Sequence, residues 1–161
     1  GLTPAEFARV WVRGGHRIFD RLARLAKPTI AALNGHAFGG GLELAAACDI
    51  RVITPRATIA LPEAGVGIVP GWSGSQRLAR LIPVGMLKEM ALFGRRIGAD
   101  RLLTCGFVAE ITDDRPDAMR ANNSPASPGR CRRWVRIYVS AARAVFMGSI
   151  RICRWWRAAG R

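Results

Sequence analysis

The stretch from Thr29 to Asp49 limits the possible folds of this chain more than any other part of it. A short apolar run, Thr29 to Leu33, follows Pro28 and ends at Asn34-Gly35, which is typical of a buried strand that ends in a turn. Three glycines at 39–41 come next, and the helix formers Leu-Glu-Leu-Ala-Ala-Ala-Cys follow them. We therefore predict a strand, a glycine turn and a helix in direct succession.

The same kinds of pattern continue on both sides of this unit. Apolar residues at helical or alternating spacing predict further helices and strands. We expect helices over 7–25, 75–82, 86–93 and 99–104, and strands over 49–53, 58–61 and 107–111. Because strands alternate with helices, the predicted fold class is α/β.

Two of these helices are expected to bury an apolar stripe. In the first helix the stripe consists of Val10, Phe19, Leu22 and Leu25. In the helix over 86–93 it consists of Met86, Met90 and Phe93. We read Cys48-Asp49, at the end of the helix after the glycines, as structural.

Composition excludes several classes of protein. A length of 161 residues fits one domain, and 50% hydrophobic against 22% charged residues argues against a disordered chain. No apolar run reaches the ~18 residues that cross a bilayer. The opening residues have no signal-peptide pattern, so we expect a cytoplasmic protein. The four cysteines form no C-x-x-C pair and the two histidines lie far apart, so we expect neither a metal site nor a disulfide framework.

The net charge of +14 is distributed unevenly along the chain. All acidic residues lie at or before Asp117, whereas residues 121–161 contain nine arginines and no acid or lysine. We therefore divide the chain into a core, 1–120, and an Arg/Trp-rich tail, 121–161. Two explanations of the tail stay open: a natural basic helix, or a segment that did not evolve with the fold, such as the product of a shifted reading frame.

The glycine turn is not a nucleotide-binding loop. Its sequence, G-H-A-F-G-G from Gly35, is neither G-x-G-x-x-G nor followed by Lys-Ser or Lys-Thr. At a helix start, however, free N–H groups and the helix dipole stabilise negative charge, and Gly39 and Gly40 let a substrate carbonyl come close. The alternative, glycines used only for packing, stays open. His36 either lines this pocket or is a plain turn residue.

Two glutamates are candidates for acid–base chemistry. Glu43 lies in the first turn of the predicted helix, and Glu63 precedes a glycine-rich loop. Each alone is a weak signal, since a carboxylate at a helix start is common. Together they suggest two carboxylates beside one oxyanion site, which is what the addition of water to a polarised double bond requires.

Gly71-Trp72-Ser73-Gly74-Ser75 partly matches the G-x-S-x-G motif of serine hydrolases. Ser75 stands where the last glycine should be, and neither histidine has a supporting context. We therefore do not expect a serine nucleophile here. Nearby arginines, including Arg77, are expected to be solvated, although they could attract phosphate groups.

Two segments carry a resemblance to a known family: KPTIAALNGHAFGGGLELAAACDIRV and ATIALPEAGVGIVPGWSGSQRLARLIP. They resemble the enoyl-CoA hydratase/isomerase family, also called the crotonase family, and the likeness runs from about Leu22 to Ile111. The resemblance implies a partial crotonase (ClpP/crotonase-like) fold of repeated ββα units.

The resemblance also implies a substrate and roles for individual residues. The substrate is a thioester of coenzyme A, whose carbonyl oxygen is bound by two N–H groups, one of them at Gly40. Glu43 activates water for attack at Cβ, Glu63 delivers a proton to Cα, and Gly71 helps to hold the water. The implied function is enoyl-CoA hydratase, a lyase of fatty acid β-oxidation. No further cofactor is implied, because coenzyme A is part of the substrate.

Two departures from the family affect these expectations. The family's other oxyanion donor and most of its coenzyme A contacts lie upstream of the matching segments, so we expect an N-terminally truncated chain with impaired activity and an open sheet edge. Loss of one oxyanion donor costs on the order of 10²-fold to 10³-fold in rate. The tail does not resemble the helices with which family members form trimers and hexamers, so the same assembly is not expected.

Other functions stay open beside hydration. An isomerase or another activity of the superfamily is one, although retention of both glutamates favours a hydratase. A second is a non-catalytic protein whose tail binds nucleic acid or anionic lipid through arginine and tryptophan. A third is a non-catalytic subunit that pairs with an intact homologue. Of these partners we expect the acyl-CoA substrate, and neither a membrane nor a nucleic acid.

Overall fold

A computed structural model of the protein describes residues 3–112, 135–140 and 149–152. A π-helical segment, Ala8–Val12, joins the first two α-helices, and a 3-10 helix spans Pro62–Val66. The α-helices are α1 (Pro4–Phe7), α2 (Arg13–Ala23), α3 (Gly40–Ala46), α4 (Gly74–Leu78), α5 (Val84–Phe93) and α6 (Ala99–Thr104). The strands are β1 (Thr29–Leu33), β2 (Ala37–Phe38), β3 (Ile50–Ile53), β4 (Thr58–Ala60), β5 (Ile97–Gly98), β6 (Glu110–Ile111), β7 (Val135–Ser140) and β8 (Ser149–Ile152).

The larger sheet has five strands in the order β6-β3-β1-β7-β8. Strands β1 and β3 are parallel, with Ile30 opposite Ile50 and Leu33 opposite Ile53. Parallel neighbours need a crossover connection, and here the chain makes it through the glycine turn and α3. The predicted α/β class and the predicted strand, glycine turn and helix are confirmed.

A second, three-stranded sheet positions the glycine turn, because β2 of this sheet leads directly into it. Strand β2 is parallel to β4, with Phe38 opposite Ala60, and the N–H of Gly39 continues this pairing by donating to the carbonyl of Ala60 at 3.0 Å. The glycine turn therefore lies beside the segment that leads into Glu63. We did not predict β2 or β5 from the sequence, because a two-residue strand is too short to show a period.

Strands β7 and β8 come from the Arg/Trp-rich tail. The backbone of β7 is parallel to β1, with Thr29 opposite Val135, and β8 is antiparallel to β7. Strand β1 therefore has a neighbour on both sides, and the edges of this sheet are β6 and β8. The rest of 113–161 lies outside the described residues, and so do most of the residues on which the division into a core and a tail depends.

The core is formed by apolar side chains of both sheets and of α3 to α6. Burial of one large apolar side chain contributes roughly 1.5–3 kcal/mol to the free energy of unfolding. The largest apolar side chains that are fully buried are Leu33, Leu42, Ile53, Ile59, Leu61, Leu78, Met90, Ile97, Leu102 and Phe107.

The N-terminal helix differs from its predicted form. It begins at Pro4, where Thr3 and Glu6 form a reciprocal capping box. Phe19 is buried, as predicted for the apolar stripe, but Val10 and Leu25 are exposed, so the prediction is wrong for these two. Val10 lies in the π-helical segment, whose wider turn interrupts the 3.6-residue period, and Leu25 lies beyond the end of α2.

The apolar stripe of α5 is shorter than predicted. Met86 and Met90 are buried in the core, whereas the Phe93 side chain is 80% exposed, so the prediction is wrong for Phe93. This residue is the last of the helix, directly before Gly94, which adopts a left-handed conformation. The last turn of α5 therefore projects beyond the core.

Two kinds of feature, a membrane-spanning helix and a metal cluster, are absent from residues 3–112, 135–140 and 149–152. Within them, no helix combines the length and apolar character needed to cross a membrane. No three His, Cys, Asp or Glu side chains in the same residues are grouped so that they could hold a metal ion. Cys48 and Cys105 are free thiols.

Candidate active site

The glycine turn presents a helix N-terminus whose first N–H groups lack partners inside the helix. Gly39 adopts a φ of 51° and lies directly before α3, and its carbonyl accepts the first bond of that helix from Glu43 N–H at 3.0 Å. The N–H groups of residues 40–42 therefore have no carbonyl of α3 to bond. Gly40, the first residue of α3, is the candidate oxyanion donor, and the dipole of the helix start favours negative charge there.

Glu63 lies against this turn. A Cβ atom on Gly39 would come within 2.7 Å of Glu63 Oε1, so the carboxyl group contacts the bare backbone of the turn. Glu63 is buried, and its Oε2 atom has no hydrogen-bond partner among the described residues. Burial raises the pKa of Glu63, a backbone hydrogen bond opposes the rise, and the charge of Glu43 adds to it.

Glu43 is held by backbone groups that lie about thirty residues after it in the chain. It is 2% exposed, and its Oε1 atom accepts hydrogen bonds from the N–H groups of Trp72 and Gly74, both at 2.8 Å. A Cβ atom on Gly74 would lie 2.7 Å from the same oxygen, so only glycine allows this approach. The backbone over 72–74, which we call the 72–74 loop, thus fixes the orientation of one carboxylate oxygen.

The two glutamates are close enough for the charge of one to raise the pKa of the other. Glu43 and Glu63 differ in their hydrogen-bond partners. Oε1 of Glu43 accepts bonds from two N–H groups, whereas Oε2 of Glu63 has no partner among the described residues. Two carboxyl groups in different environments beside a helix N-terminus can act as a base and an acid on the same substrate.

The other predicted site residues lie around the turn. His36 is exposed, its Nδ1 is 2.9 Å from Thr58 Oγ1, and its ring stacks on Phe38. Its partners are therefore neighbours of the turn and not the two glutamates. Gly71 is partly buried and directly precedes Trp72, and a Cβ there would meet no other atom within 4 Å. Space is thus open on that side of Gly71.

Cys48, at the end of α3, has no reactive character. Burial raises the pKa of its thiol to about 11, so the group stays neutral. The following residue, Asp49, accepts hydrogen bonds from the N–H and the hydroxyl of Thr29, both at 2.7 Å. These contacts agree with a structural reading of Cys48-Asp49.

Sequence reasoning missed the role of Trp72. Its indole packs against Gly40, where a Cβ would lie 2.6 Å from Cζ3, and against the ring of Phe19 on α2. Its indole N–H donates to the carbonyl of Trp11 at 3.2 Å. Trp72 therefore connects the glycine turn to the N-terminal helix, and no local pattern in the sequence marks such a contact.

Sequence reasoning also missed two polar contacts of the N-terminal helix with the same region. Ser73 Oγ lies 2.5 Å from His16 Nδ1, so the expectation that neither histidine has a supporting context is wrong for His16. Arg77 pairs with Asp20 and donates to the carbonyl of Trp72, so the expectation of a solvated Arg77 is wrong as well. The partners are 57 residues apart in both pairs, a separation that leaves no periodic signal.

Comparison with known proteins places the chain among relatives of one kind. A family model described as enoyl-CoA hydratase/isomerase matches residues 5–122. The short-chain-enoyl-CoA hydratase of Clostridium acetobutylicum is 46% identical over 99 residues, which are 62% of this chain and 38% of that protein.

Solved structures give a similar picture. DspI of Pseudomonas aeruginosa matches with a TM-score of 0.68 and 40% identity, over 75% of this chain and 49% of that chain. An enoyl-CoA hydratase of Thermoplasma volcanium matches with a TM-score of 0.68 and 34% identity, over 75% of this chain and 48% of that chain. The chain thus spans about half the length, or less, of these relatives.

The match of the family model extends over well more than half of the chain. The structural matches show that the fold is the crotonase fold in part, as the resemblance implied. The chain therefore belongs to the enoyl-CoA hydratase/isomerase family.

Proposed function

We propose that this site adds water reversibly to the double bond of a 2-enoyl-CoA thioester and gives a 3-hydroxyacyl-CoA. The observation that supports this most directly is that two buried carboxyl groups, Glu43 and Glu63, lie close together beside the start of α3. Addition of water needs one group that takes a proton and another that supplies one. Retention of both carboxyl groups favours hydration over the family's isomerase reaction.

Glu43 is the proposed base. Two backbone N–H groups at 2.8 Å hold its Oε1 atom, so the carboxylate keeps one orientation toward an incoming water molecule. The water gives its proton to Glu43 while its oxygen forms a bond to Cβ of the substrate. The neighbouring Gly71, beside which space is open, is the proposed second contact of this water.

Glu63 is the proposed acid. Its raised pKa keeps the carboxyl group protonated to a higher pH than an exposed glutamate, which a proton donor requires. The proton passes to Cα of the substrate, which leaves Glu63 ionised and Glu43 protonated. Before the next turnover Glu43 releases its proton to the solvent and Glu63 takes one up. The sum of the steps is one water added and no net change in the enzyme.

The N–H group of Gly40 is the proposed oxyanion donor. As OH adds to Cβ, negative charge develops on the thioester oxygen, and an N–H group at a helix start can stabilise that charge. The neighbouring Gly39 has no side chain, which lets the substrate oxygen approach the backbone. We place His36 at the margin of this pocket, since it is exposed and contacts Phe38 of the same turn.

We further propose that the reaction belongs to fatty acid β-oxidation in the cytoplasm. The support is a relative named short-chain-enoyl-CoA hydratase that is 46% identical over 99 residues of this chain. The coenzyme A moiety enters as part of the substrate, so no separate cofactor is proposed.

A hydration assay on crotonyl-CoA tests this proposal. The measurement is the loss of the absorbance of the conjugated thioester, with the 3-hydroxy product identified by mass. Acid–base groups contribute on the order of 10² to 10⁴ in rate, so Glu43→Gln and Glu63→Gln should each lower kcat by about 10²-fold or more. Glu89→Gln is the matched control, because Glu89 is a partly exposed glutamate whose carboxylate pairs with Arg95 and Arg101.

A second substrate separates hydration from isomerisation. A 3-enoyl-CoA offered to the same preparation should give no 2-enoyl-CoA at a rate comparable to hydration. The proposal fails if the two Gln variants hydrate crotonyl-CoA as fast as the unchanged chain, or if isomerisation is the faster reaction.

A further inference from the structure

We propose that the hydrogen bond between Ser73 and His16 is a positioning device for Glu43, because it holds the 72–74 loop in the one conformation that binds the carboxylate. The inference rests on the proposed function of Glu43. Ser73 and His16 are positioning residues, since neither is required to touch the substrate.

The first step concerns the geometry of the loop. The N–H groups of Trp72 and Gly74, on either side of Ser73, both donate to the same oxygen of Glu43 at 2.8 Å. Ser73 itself has a φ of 68° and a ψ of 20°, which is the left-handed conformation. A left-handed residue turns neighbouring N–H groups toward one side and creates a concave anion site. The binding of Glu43 therefore depends on the backbone conformation of Ser73.

The second step concerns the cost of that conformation. Among the residues that the structure describes, Ser73 is the one non-glycine residue with a positive φ. The side chain of an L-residue clashes with its own backbone in this region, so the conformation persists only where the surroundings hold it. A contact that holds Ser73 is thus needed.

The third step identifies this contact. Ser73 is the residue before α4, where a serine hydroxyl ordinarily accepts a bond from the helix it precedes. Here no such bond is present, and the hydroxyl lies 2.5 Å from Nδ1 of His16 in α2. The hydroxyl is therefore used to attach the strained residue to another helix.

Two further contacts attach the same region to the N-terminal helix. Arg77 of α4 donates to the carbonyl of Trp72 at 2.8 Å and pairs with Asp20 of α2. The indole of Trp72 donates to the carbonyl of Trp11. The 72–74 loop is thus connected on one side to the N-terminal helix and on the other to Glu43, so a change in α2 can reach the carboxylate.

Four variants test the proposal. Ser73→Ala removes the hydroxyl and keeps the Cβ atom, so the loop should leave the left-handed conformation. Ser73→Gly removes the hydroxyl as well, but glycine adopts positive φ freely, so the loop should stay. His16→Ala should resemble Ser73→Ala, and the double variant His16→Ala/Ser73→Gly should recover.

Two measurements report on these variants. The amide protons of Trp72 and Gly74 in NMR spectra of the full chain report on both bonds to Glu43, because a short hydrogen bond to a carboxylate shifts an amide proton downfield. Hydration kinetics should show kcat lowered about tenfold for Ser73→Ala and His16→Ala, with KM nearly unchanged, and nearly full kcat for the two variants with glycine. Ser75→Ala and Arg17→Ala, at exposed or partly exposed neighbouring positions, are the matched controls.

The outcomes are distinct. Amide protons of Trp72 and Gly74 that keep this downfield shift in Ser73→Ala and His16→Ala would overturn the proposal, and so would a Ser73→Gly variant as impaired as Ser73→Ala, which would indicate that the hydroxyl itself reacts. If His16→Ala does not fold, the comparison of Ala with Gly at position 73 decides alone. Because the resonances do not depend on turnover, an inactive wild-type chain would contradict the proposed function and leave the loop test intact.

Discussion

At two glycines of this protein the backbone lies directly against the carboxyl group of a glutamate. At Gly39 the φ is 51°, and a Cβ would come within 2.7 Å of Glu63 Oε1. At Gly74 a Cβ would lie 2.7 Å from Glu43 Oε1. Glycine is thus required for contact with each glutamate, and at Gly39 it is required for the backbone conformation as well.

Replacing Gly39 tests this requirement. Gly39→Ala forces a side chain into the positive-φ region and against Glu63, and we expect a loss of about 1–3 kcal/mol in the free energy of unfolding. Urea denaturation measures the loss. Gly65→Ala is the control, since no atom lies within 4 Å of a Cβ there and its φ is not positive. Equal losses in the two variants would contradict the explanation.

The raised pKa of Glu63 predicts how stability depends on pH. Its folded pKa lies above its unfolded value, so its contribution is fully present below the unfolded pKa and is lost as the pH rises through the folded pKa. Glu63→Gln carries no charge at any pH. Relative to the unchanged chain, the variant should therefore gain stability as the pH rises above about 4, the pKa of an exposed glutamate.

Urea denaturation of both chains at a series of pH values checks this prediction. A difference between them that stays constant with pH would mean that Glu63 does not titrate in an altered environment. The test does not depend on catalytic turnover, so it addresses the environment of Glu63 apart from its proposed role.

Between elements, one polar contact sets the start of the central strand pair. Asp49, directly before β3, accepts bonds from the N–H and hydroxyl of Thr29, the first residue of β1, and returns one from its own N–H at 2.9 Å. The register that follows places Ile30 opposite Ile50. A shift of register by one residue would turn every side chain to the other face, so this contact helps to direct Leu33 into the core.

Asp49→Asn tests the contact through its pH dependence. The hydrogen bonds from Thr29 lower the pKa of Asp49, so its contribution is present above the unfolded pKa and is lost as the pH falls through the folded pKa. The variant should be less stable than the unchanged chain at neutral pH, and the difference should vanish in acid.

Thermal unfolding followed by circular dichroism between neutral and acid pH measures this difference. Glu110→Gln is the matched control, because Glu110 is an exposed acid on β6 of the same sheet. If the two variants behave alike, the Thr29 contact does not stabilise the strand pair.

At the scale of the whole molecule, charge is the dominant property. The net charge of +14 raises the free energy of any compact state by self-repulsion. Salt screens this repulsion, since the Debye length falls from about 10 Å at 0.1 M to about 3 Å at 1 M. We therefore expect the melting temperature to rise as sodium chloride is increased from about 0.05 to about 0.5 M.

Differential scanning fluorimetry at neutral pH measures this rise. A variant with exposed arginines replaced, Arg56→Gln/Arg80→Gln, should begin at a higher melting temperature and rise less. A melting temperature that falls with salt would show instead that screening of ion pairs, such as Arg77 with Asp20, outweighs the relief of repulsion.

Much of this protein was predictable from short stretches of sequence. Proline, Asn-Gly and three successive glycines determine the order of strand, turn and helix from β1 to α3, because turn chemistry and helix propensity act between near neighbours. The resemblance to the enoyl-CoA hydratase/isomerase family pointed to Glu43 and Glu63, and their roles stay predictions. The exposure of Phe93 and the π-helical interruption at Val10 were not predictable, because each depends on where the core ends.

Only the tertiary structure decided what holds the site. Glu43 is bound by N–H groups about thirty residues away, and Ser73 is attached to a histidine 57 residues before it. Strand β1 takes a neighbour from beyond residue 134. Contacts at such separations depend on which helices and sheets pack against each other, and the choice of a distant partner leaves no period or motif in the chain. The sequence alone therefore determined the glycine turn and the α/β class of the chain. The partners of each carboxylate were determined by how the helices and sheets pack.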